Sequence, residues 1–562
     1  MDALHGPGAA RARVPSLEAG GHQVVRLGRE GGRVIGRTLE CDVLVIGGGA
    51  TGLGVVRDAA MRGFRAVLLE RVDLGQGTTG RFHGLLHSGG RYVTSDPQSA
   101  TECAEENATV RRIAAEAVED TGGLFVTTPA DDPGYADRFL AGCGDTGVPV
   151  QEIPVAVALA REPRINPGIS RAFEVQDASI DAWKLLWGNA RSATAHGAEI
   201  LTYHWVTEIL RDGDRVAGAV ARDDRGGGET RIEAGFTINA GGVWAGELAD
   251  LAGCPGVRVV PGKGIMIAMN HRLVHTVVNR CDPPGDGDIL VPVRTVCVIG
   301  TTDVHADSPD DLSIGRDEVQ RMLDAGEVLV PGFRQTRALH AWTGSRPLFH
   351  DEHASGEEQD TRHMSRGLAV VDHLKRDGVG GFLTITGGKL TTYRLMAEIV
   401  VDAMCRQLGE DHPCHTASEV LPGSESGGHL WVGERLAERE VDLGEAEIVC
   451  ECELVTRAAI ERAVAARPGM NLDDVRRTLR LGMGPCQGGF CTYRAAGILH
   501  GAGDADWERA DGLLQMFLQH RWQGVEPILY GDQMRQAVLD DWIFQGTLDI
   551  EHLPAAAPER PV

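Results

Sequence analysis

The sequence predicts an α/β protein in which a Rossmann-like domain is interleaved with an α+β domain, followed by a small helical domain and a helical C-terminal tail. Two observations support this prediction. Strand-like and helix-like patterns alternate from residue 41 to about residue 405, and four clustered cysteines lie beyond a stretch rich in glycine and proline. The chain of 562 residues is also too long for one hydrophobic core.

Changes in pattern along the chain set the predicted domain boundaries. Residues 1–40 show no clear helical or strand period and are predicted to be a flexible extension. Residues 41–413 form the α/β part, residues 414–445 form a linker, and residues 446–500 form the small domain. The predicted helical tail, residues 501–562, is expected either to dock a partner or to pack as a helical cap through its aromatic side chains, Trp507, Phe517, Trp522, Tyr530, Trp542 and Phe544.

Charge and composition exclude several classes of function. The formal net charge of −25 argues against nonspecific nucleic-acid binding, which requires a basic face. No apolar run approaches the roughly 18 residues of a bilayer span, so neither a transmembrane helix nor a secretory signal is expected. Twelve cysteines in such a chain are predicted to be reduced thiols or metal ligands.

A dinucleotide fingerprint lies between the first predicted strand and the first predicted helix. The residues Gly47-Gly48-Gly49-Ala50-Thr51-Gly52 match G-x-G-x-x-G, and the second strand is followed by Glu70. Gly47 suits the tight turn, Gly49 lets a pyrophosphate approach the backbone, and Gly52 lets helix and strand pack closely. Glu70 is expected to accept hydrogen bonds from ribose hydroxyls. The fingerprint predicts a bound dinucleotide without distinguishing NAD from FAD.

Further segments resemble those of glycine-oxidase-like flavoproteins and favour FAD. They are Thr78-Thr79-Gly80-Arg81, His87-Ser88-Gly89-Gly90-Arg91-Tyr92, Asn239-Ala240-Gly241-Gly242 and Thr386-Gly387-Gly388-Lys389-Leu390-Thr391-Thr392-Tyr393-Arg394. The residues expected to contact the cofactor are Gly47, Gly49, Ala50, Thr51, Gly52, Glu70, Thr78, Thr79, Gly80, Ala240, Gly241, Gly387, Gly388, Lys389, Leu390 and Thr391. No histidine or cysteine lies in a recognisable attachment motif, so the FAD is expected to be noncovalent.

Three more motifs complete a resemblance to a known family: Val291-Pro292, Gly300-Thr301-Thr302-Asp303 and Gly344-Ser345-Arg346-Pro347-Leu348. From Cys41 to about Trp542 the chain resembles the family of FAD-binding subunits of anaerobic glycerol-3-phosphate dehydrogenases. The resemblance implies FAD-dependent oxidation of sn-glycerol 3-phosphate to dihydroxyacetone phosphate. Residues 1–40 match nothing in that family, and residues 78–83 are closer to its anaerobic than to its aerobic branch.

The resemblance also implies roles for individual residues. The substrate carries a phosphate dianion, which suits forked cationic donors, and a secondary alcohol, which needs a proton acceptor. His87 and Arg346 are expected to be catalytic, with His87 accepting the hydroxyl proton. The other expected substrate ligands are Arg91, Tyr92, Lys389 and Arg394. An alternative stays open: a flavin dehydrogenase of a 2-hydroxy acid or an amino acid has the same fold and meets a carboxylate with one arginine.

The clustered cysteines have the spacing of a metal centre. Cys450 and Cys452 form a C-x-C pair, and Cys486 and Cys491 form a C-x4-C pair after 33 intervening residues. Four thiolates suit either zinc or an iron–sulfur cluster, but structural zinc usually uses wider C-x2-C pairs. The arrangement resembles the bacterioferritin-associated ferredoxin domain in the variant fused to flavin dehydrogenases. The expected group is therefore a 2Fe-2S cluster, with zinc as the alternative.

A flavin next to a one-electron carrier indicates that electrons leave the protein. By resemblance, the partners are a second flavoprotein subunit of the same complex and an iron–sulfur subunit that is linked to the membrane, with quinone as the final acceptor. The expected location is the cytoplasm, at the inner face of the cell membrane through those partners.

Overall fold

A Rossmann-like sheet organises the first half of the molecule. The computed structural model describes residues 28–30, 33–350, 367–427, 432–441 and 447–549. Nine described strands form this sheet: β1 Gly28–Glu30, β2 Arg33–Ile46, β3 Ala66–Leu69, β10 Glu199–Leu201, β11 His204–Asp212, β12 Arg215–Asp223, β13 Glu229–Asn239, β20 Leu368–Asp372 and β21 Phe382–Gly387. The strands β2, β3, β10, β13 and β21 pair in parallel.

The predicted βαβ unit forms because its strands are buried on both faces. Val43, Leu44 and Val45 of β2 are fully buried, and β3 is buried along its whole length. Strands covered on both sides have continuous apolar runs rather than alternating ones. The connecting helix, Ala50–Met61, therefore packs back onto the sheet and places its N-terminus at the carboxyl ends of β2 and β3.

The boundary predicted at residue 40 is corrected by the structure. Strand β2 begins at Arg33, and residues 35–46 pair with β13 in parallel. Leu39 contributes to the core with 2% of its surface exposed. The prediction of a flexible extension therefore fails for residues 28–30 and 33–40, because cross-strand pairing overrides their weak local pattern. Residues 1–27 lie outside the described residues.

A second sheet forms the interleaved domain. Its nine described strands are β6 Gly123–Thr127, β7 Val150–Ile153, β8 Arg171–Val175, β14 Arg258–Met269, β15 Val277–Arg280, β16 Ile289–Val293, β17 Val296–Gly300, β18 Val304–His305 and β19 Ala338–His350. All of their pairings are antiparallel except that of β6 with β15. A small sheet lies beside it, made of β4 Leu85–Leu86, β5 Val118–Glu119 and β9 Ala178–Ile180.

Helices cover both sheets. In chain order those of the α/β part are α1 Ala50–Met61, α2 Pro97–Ile113, α3 Tyr135–Thr146, α4 Val155–Arg161, α5 Ala182–Ala195, α6 Ala245–Leu251, α7 Arg316–Leu329, α8 His373–Asp377 and α9 Tyr393–Leu408. Helices α1, α5 and α9 pack together on one face of the Rossmann-like sheet. This packing buries α1 along almost its whole length, from Ala50 to Ala60, and so fixes the direction of the helix.

The segment predicted as a linker is partly bound to the α/β part. Leu421 is buried in the core beside α1 and α5. The fully buried Arg57 donates to the backbone carbonyls of Thr416 (3.3 Å) and Glu419 (2.9 Å). A buried guanidinium requires such acceptors, so the beginning of the segment is held in place. Its end forms helix α10, Val432–Val441.

The C-terminal part has a separate hydrophobic core. Its elements are β22 Ile448–Cys450, β23 Val455–Thr456, α11 Arg457–Ala466, α12 Leu472–Leu479, α13 Cys491–Gly501, α14 Trp507–Val525 and α15 Gln533–Leu548. The core includes Val449, Val475 and Leu499 together with Leu513 and Phe517 of α14. One core therefore crosses the boundary predicted at residue 500, and α14 belongs to the small domain rather than to a separate tail.

The aromatic side chains of the predicted tail divide into two groups. Phe517 is buried, and Tyr530 packs against the core of the second sheet. Trp507, Trp522 and Trp542 are between 50% and 72% exposed. The side chain of Phe544 and residues 550–562 lie outside the described residues. Core packing therefore explains only part of the aromatic content of this region.

Candidate active site and metal centre

A cavity of about 1200 Å³ lies between the two large sheets. Its walls include the carboxyl ends of β2 and β3 on one side, at Ile46 and Leu69, and Gly264, Gly344 and Arg346 of the second sheet on the other. The long loop after β3, residues 70–83, closes another side of it. The cavity is lined by residues of several predicted motifs that are far apart in the sequence.

The fingerprint glycines have the conformations that the motif requires. Gly47 has a φ of +114°, and a Cβ there would lie 2.5 Å from the carbonyl oxygen of Ala240. A Cβ on Gly52 would overlap the carbonyl oxygen of Gly47. Only glycine permits these two close approaches, so turn and helix can pack as the sequence predicted.

The start of α1 fits the pyrophosphate of a dinucleotide. Its N-cap residue, Gly49, supplies no side-chain hydrogen bond, and the first turn holds no acidic residue. Thr79 Oγ1 accepts from the Ala50 N–H at 3.1 Å, which joins the loop after β3 to this helix. Unpaired N–H groups and the positive end of the helix dipole favour an anion at this position.

Glu70 lies next to this helix start. Its carboxylate accepts from the backbone N–H groups of Gly48 (2.7 Å) and Val72 (3.0 Å). Burial raises the pKa of the Glu70 carboxyl above its ordinary value, although these two hydrogen bonds act in the opposite direction. Each carboxylate oxygen keeps acceptor capacity that a ribose hydroxyl would use.

The residues predicted to contact the cofactor fall into two sets. Those that line the cavity are Gly47, Gly49, Ala50, Thr51, Glu70, Thr78, Thr79, Ala240, Gly241, Gly387, Gly388, Lys389 and Leu390. The remaining three, Gly52, Gly80 and Thr391, lie behind this lining. Thr391 Oγ1 accepts from the backbone N–H of His87 at 3.1 Å, so its role is to hold the neighbouring segment.

Three of the cationic side chains that line the cavity are oriented by hydrogen-bond acceptors. Arg346 forms an ion pair with Asp303 at 3.1 Å and donates to the carbonyl oxygen of Thr302 at 2.9 Å. Arg91 forms an ion pair with the buried Asp288. The ammonium group of Lys389 donates to Ser99 Oγ at 2.7 Å. These contacts fix the directions of three positive charges that sequence motifs had singled out.

His87 and Tyr92, two of the residues predicted to act on the substrate, form an aromatic group beside these cations. The ring of His87 lies 5.3 Å from that of Tyr92, and the Lys389 ammonium lies 4.5 Å from the Tyr92 ring centre. His83, which sequence reasoning did not select, also lines the cavity, and its ring lies 5.9 Å from that of His87. The signal for His83 was its position at the end of residues 78–83, the segment that resembles the anaerobic branch.

Arg394 does not reach this cavity, and its prediction as a substrate ligand is corrected. Its guanidinium donates to Glu106 (2.9 Å) and Glu398 (2.6 Å), and its side chain is 6% exposed. Arg394 is absent from the cavity lining. Two carboxylates satisfy it inside the protein, so it connects α9 to α2.

The four predicted cysteine ligands converge. Cys452 Sγ lies 3.7 Å from Cys486 Sγ, and Cys491 lies within hydrogen-bond reach of Cys450 and Cys486. A hydrogen bond from Cys491 is the main reason that the pKa of Cys450 falls to about 7. The pKa of Cys486 is lowered as well, whereas those of Cys452 and Cys491 are raised by the same mutual hydrogen bonds. The convergence of four thiols fits a sulfur-bound metal cluster, because metals bind the thiolate form.

Buried ion pairs attach this small domain to the wall of the cavity. Arg477 of α12 donates to Asp73 (3.2 Å) and to Asp474 of its own helix (2.6 Å), and both carboxylates are at most 1% exposed. Asp474 in turn accepts from Tyr203 at 2.6 Å. With its amide oxygen facing α12, Gln76 of the cavity wall accepts from Arg477 at 3.1 Å. The cysteine domain is therefore held against the loop that follows β3.

Two family matches divide the chain at the same place as its cores. The family described as "FAD dependent oxidoreductase" matches residues 42–394. The family described as "BFD-like [2Fe-2S] binding domain" matches residues 448–500. Both predicted cofactors are thereby confirmed at the level of the family.

Curated relatives cover almost the whole chain. The A subunit of the anaerobic glycerol-3-phosphate dehydrogenase of Escherichia coli (strain K12) is 41% identical over 91% of this chain and 97% of its own length. The corresponding A1 subunit of Haloferax volcanii is 42% identical over 92% of both chains.

Solved structures support the predicted fold class. The glycerol-3-phosphate dehydrogenase of Bacillus halodurans, solved with FAD, covers 88% of this chain and 96% of its own, with a TM-score of 0.61 and 22% identity. Glycine oxidase from Geobacillus kaustophilus covers 68% of this chain and 99% of its own, with a TM-score of 0.51 and 22% identity. The glycine-oxidase-like α/β architecture is therefore confirmed.

Proposed function

This chain belongs to the family of FAD-binding subunits of anaerobic glycerol-3-phosphate dehydrogenases, and we propose that its cavity oxidises sn-glycerol 3-phosphate to dihydroxyacetone phosphate, with electrons leaving through the cysteine domain. One observation carries the proposal. A single cavity joins a dinucleotide cradle to oriented cations, and a four-cysteine domain is fixed to its wall. FAD takes up the electrons and hydrogen lost from the substrate carbon, and a 2Fe-2S cluster carries electrons singly.

The substrate phosphate is assigned to Arg91, Arg346 and Lys389. These side chains line the same cavity, and Asp288, Asp303 and Ser99 hold them in position. An arginine provides several N–H groups, so a guanidinium that is anchored at one edge still presents donors elsewhere. We expect a phosphate dianion to require more than one cationic side chain, whereas one bidentate guanidinium is enough for a single carboxylate.

His87 is assigned as the acceptor of the hydroxyl proton. Thr391 holds its backbone, and Tyr92 packs against its ring, so the imidazole faces the cavity in a fixed place. An imidazole suits this task because its ordinary pKa lies close to neutral pH. Tyr92 contacts both His87 and Lys389 and is assigned to keep the base close to the phosphate-binding cation.

The electrons are proposed to pass from the cluster to further proteins of the same complex. These are a second flavoprotein and a membrane-linked iron–sulfur protein, with quinone as the final acceptor. The relatives are named as one subunit of a dehydrogenase, which supports a multi-subunit assembly. Among the described residues, no helix combines the length and apolar character of a membrane span. We assign the chain to the cytoplasmic side of the cell membrane, attached through its partners.

Flavin bleaching without oxygen tests the reaction. The FAD-loaded chain is mixed anaerobically with sn-glycerol 3-phosphate, its enantiomer sn-glycerol 1-phosphate, L-2-hydroxyglutarate or proline. We expect loss of flavin absorbance within seconds only with sn-glycerol 3-phosphate. Faster bleaching by the hydroxy acid or by proline would replace this assignment with the corresponding dehydrogenase of the same fold.

A further inference from the structure

One cation in the cavity wall has no partner among the described residues. These residues supply a hydrogen-bond acceptor, carboxylate or aromatic ring to five other cationic side chains that line the cavity: Arg71, Arg91, Arg138, Arg346 and Lys389. The guanidinium of Arg81 makes neither a hydrogen bond nor an ion pair within the part of the chain that the structure describes. Its positive charge is therefore available to a bound molecule.

The surroundings of Arg81 make an unpaired charge costly. Arg81 is partly buried. Burial is the main reason that the pKa of its guanidinium falls below the ordinary value; the nearby positive charges of Arg71 and Arg477 lower the pKa further, and the more weakly acting carboxylate of Asp310 only partly offsets them. A desolvated cation beside two other cations is stabilised when an anion forms hydrogen bonds with it.

The position of Arg81 lies between the two parts of the cavity. It directly follows the turn that contains Thr79, whose hydroxyl contacts the start of α1. On its other side, the Arg81 carbonyl packs so closely against Gly344 that a Cβ on residue 344 would overlap it. Arg346, two residues further along β19, carries the proposed substrate site. Arg81 thus stands between the pyrophosphate cradle and the substrate cations.

We propose that Arg81 is an anion-binding residue of this cavity whose ligand is a phosphate group, either the pyrophosphate of the dinucleotide or the phosphate of the substrate. The choice of phosphate rests on the proposed function, in which both molecules carry that group. A planar fork of N–H donors matches phosphate oxygens in a way that a lysine ammonium does not.

Two affinity measurements on the full-length chain test the proposal. Arg81→Leu and Arg81→Lys are compared with Arg161→Leu, which removes an exposed arginine paired with Glu174 outside the cavity. The first arm titrates the apoprotein with FAD and follows flavin fluorescence. The second arm measures the KM for sn-glycerol 3-phosphate and the Kd for inorganic phosphate in the FAD-loaded chain. Circular dichroism and iron content verify that each variant is folded.

Each outcome either shows which of the two phosphate groups Arg81 binds or rejects the proposal. We expect Arg81→Leu to weaken the affinity measured in one of the two arms at least tenfold. Arg81→Lys should give an intermediate loss of that affinity, and Arg161→Leu should give no change. A weaker FAD affinity alone assigns Arg81 to the pyrophosphate, and a higher KM and phosphate Kd assign it to the substrate. Both affinities within twofold of the parent chain would overturn the proposal. The FAD arm uses no substrate, so it is independent of the proposed reaction.

Discussion

The attachment of the cysteine domain to the cavity wall can be tested by removing Arg477. This arginine contacts Asp73, Gln76 and Asp474, so one guanidinium joins α12 to the loop after β3. Arg477→Met keeps an unbranched apolar stem but removes the guanidinium and all of these hydrogen bonds. Asp73 retains Arg467, and Asp474 retains Arg225, so neither carboxylate is left without a cation.

The size of the effect follows from this geometry. Removing one member of a buried ion pair costs about 3–5 kcal/mol of stability. Because Asp73 and Asp474 each retain another arginine, we expect the loss for Arg477→Met to lie at the lower end of this range. A loss of about 3 kcal/mol raises the population of the undocked state roughly a hundredfold. The matched control is Arg457→Met in the same domain, because Arg457 pairs with Glu447 at an exposed site. Exposed pairs of this kind contribute about 0–1 kcal/mol.

Hydrogen exchange of the full-length chain measures the undocked population. We expect amides of α12 and of residues 70–79 to exchange up to about a hundred times faster in Arg477→Met and at most about fivefold faster in the control. Flavin-to-cluster electron transfer should slow in the same variant, because docking fixes the position of the cluster domain relative to the cavity. Equal protection of these two segments in both variants would show that Arg477 does not hold the domains together.

Four further expectations concern the cofactors and the site. Acid precipitation should release all flavin into the supernatant, and colour retained on the pellet would contradict noncovalent binding. Arg346→Lys should lower kcat/KM about tenfold or more with unchanged FAD content, since the ammonium lacks the planar fork; activity within twofold of the parent would exclude direct contact. Cys486→Ser should lose about two irons and two sulfides per chain while substrate still bleaches the flavin, and zinc in the parent chain would refute the cluster. Burial raises the pKa of Asp474, but Arg477 and Arg225 lower it below the ordinary value overall. The ionised Asp474 should therefore stabilise docking fully above about pH 4, and this stabilisation should disappear as the pH falls through the lowered pKa of the folded state. Protection of the α12 amides from hydrogen exchange, relative to an unstructured chain at the same pH, that stays unchanged down to about pH 3 would contradict this.

The parts of the site that depend on one residue type were predictable from the sequence. Gly47 and Gly52 are fixed by backbone approaches that exclude any side chain. Cys450 and Cys486 are set by ligand chemistry that few residues offer. Such demands leave a spacing in the sequence that can be recognised without knowing the rest of the fold.

The failed predictions concern residues whose roles depend on distant partners. Arg394 lies in a matched motif, yet Glu106, almost 300 positions earlier, takes its charge. Residues 33–40 form a strand because β1 and β13 pair with them. Arginines occur both on solvated surfaces and in buried pairs, so the sequence pattern around Arg394 or Arg477 does not reveal which partner is present.

The interface between the two cores connects the cysteine domain to the loop that closes the cavity. Asp73, Gln76 and Thr79 all lie on the loop after β3: Asp73 and Gln76 contact Arg477, and Thr79 contacts the start of α1. A displacement of α12 would therefore move the segment that closes the dinucleotide cradle. Arg81 follows on the same loop, and the charge of Arg477 already lowers its pKa. The four-cysteine domain is thus in physical contact with the loop that lines the dinucleotide cradle, so we expect a substitution that displaces α12 to change FAD affinity as well as electron transfer to the cluster.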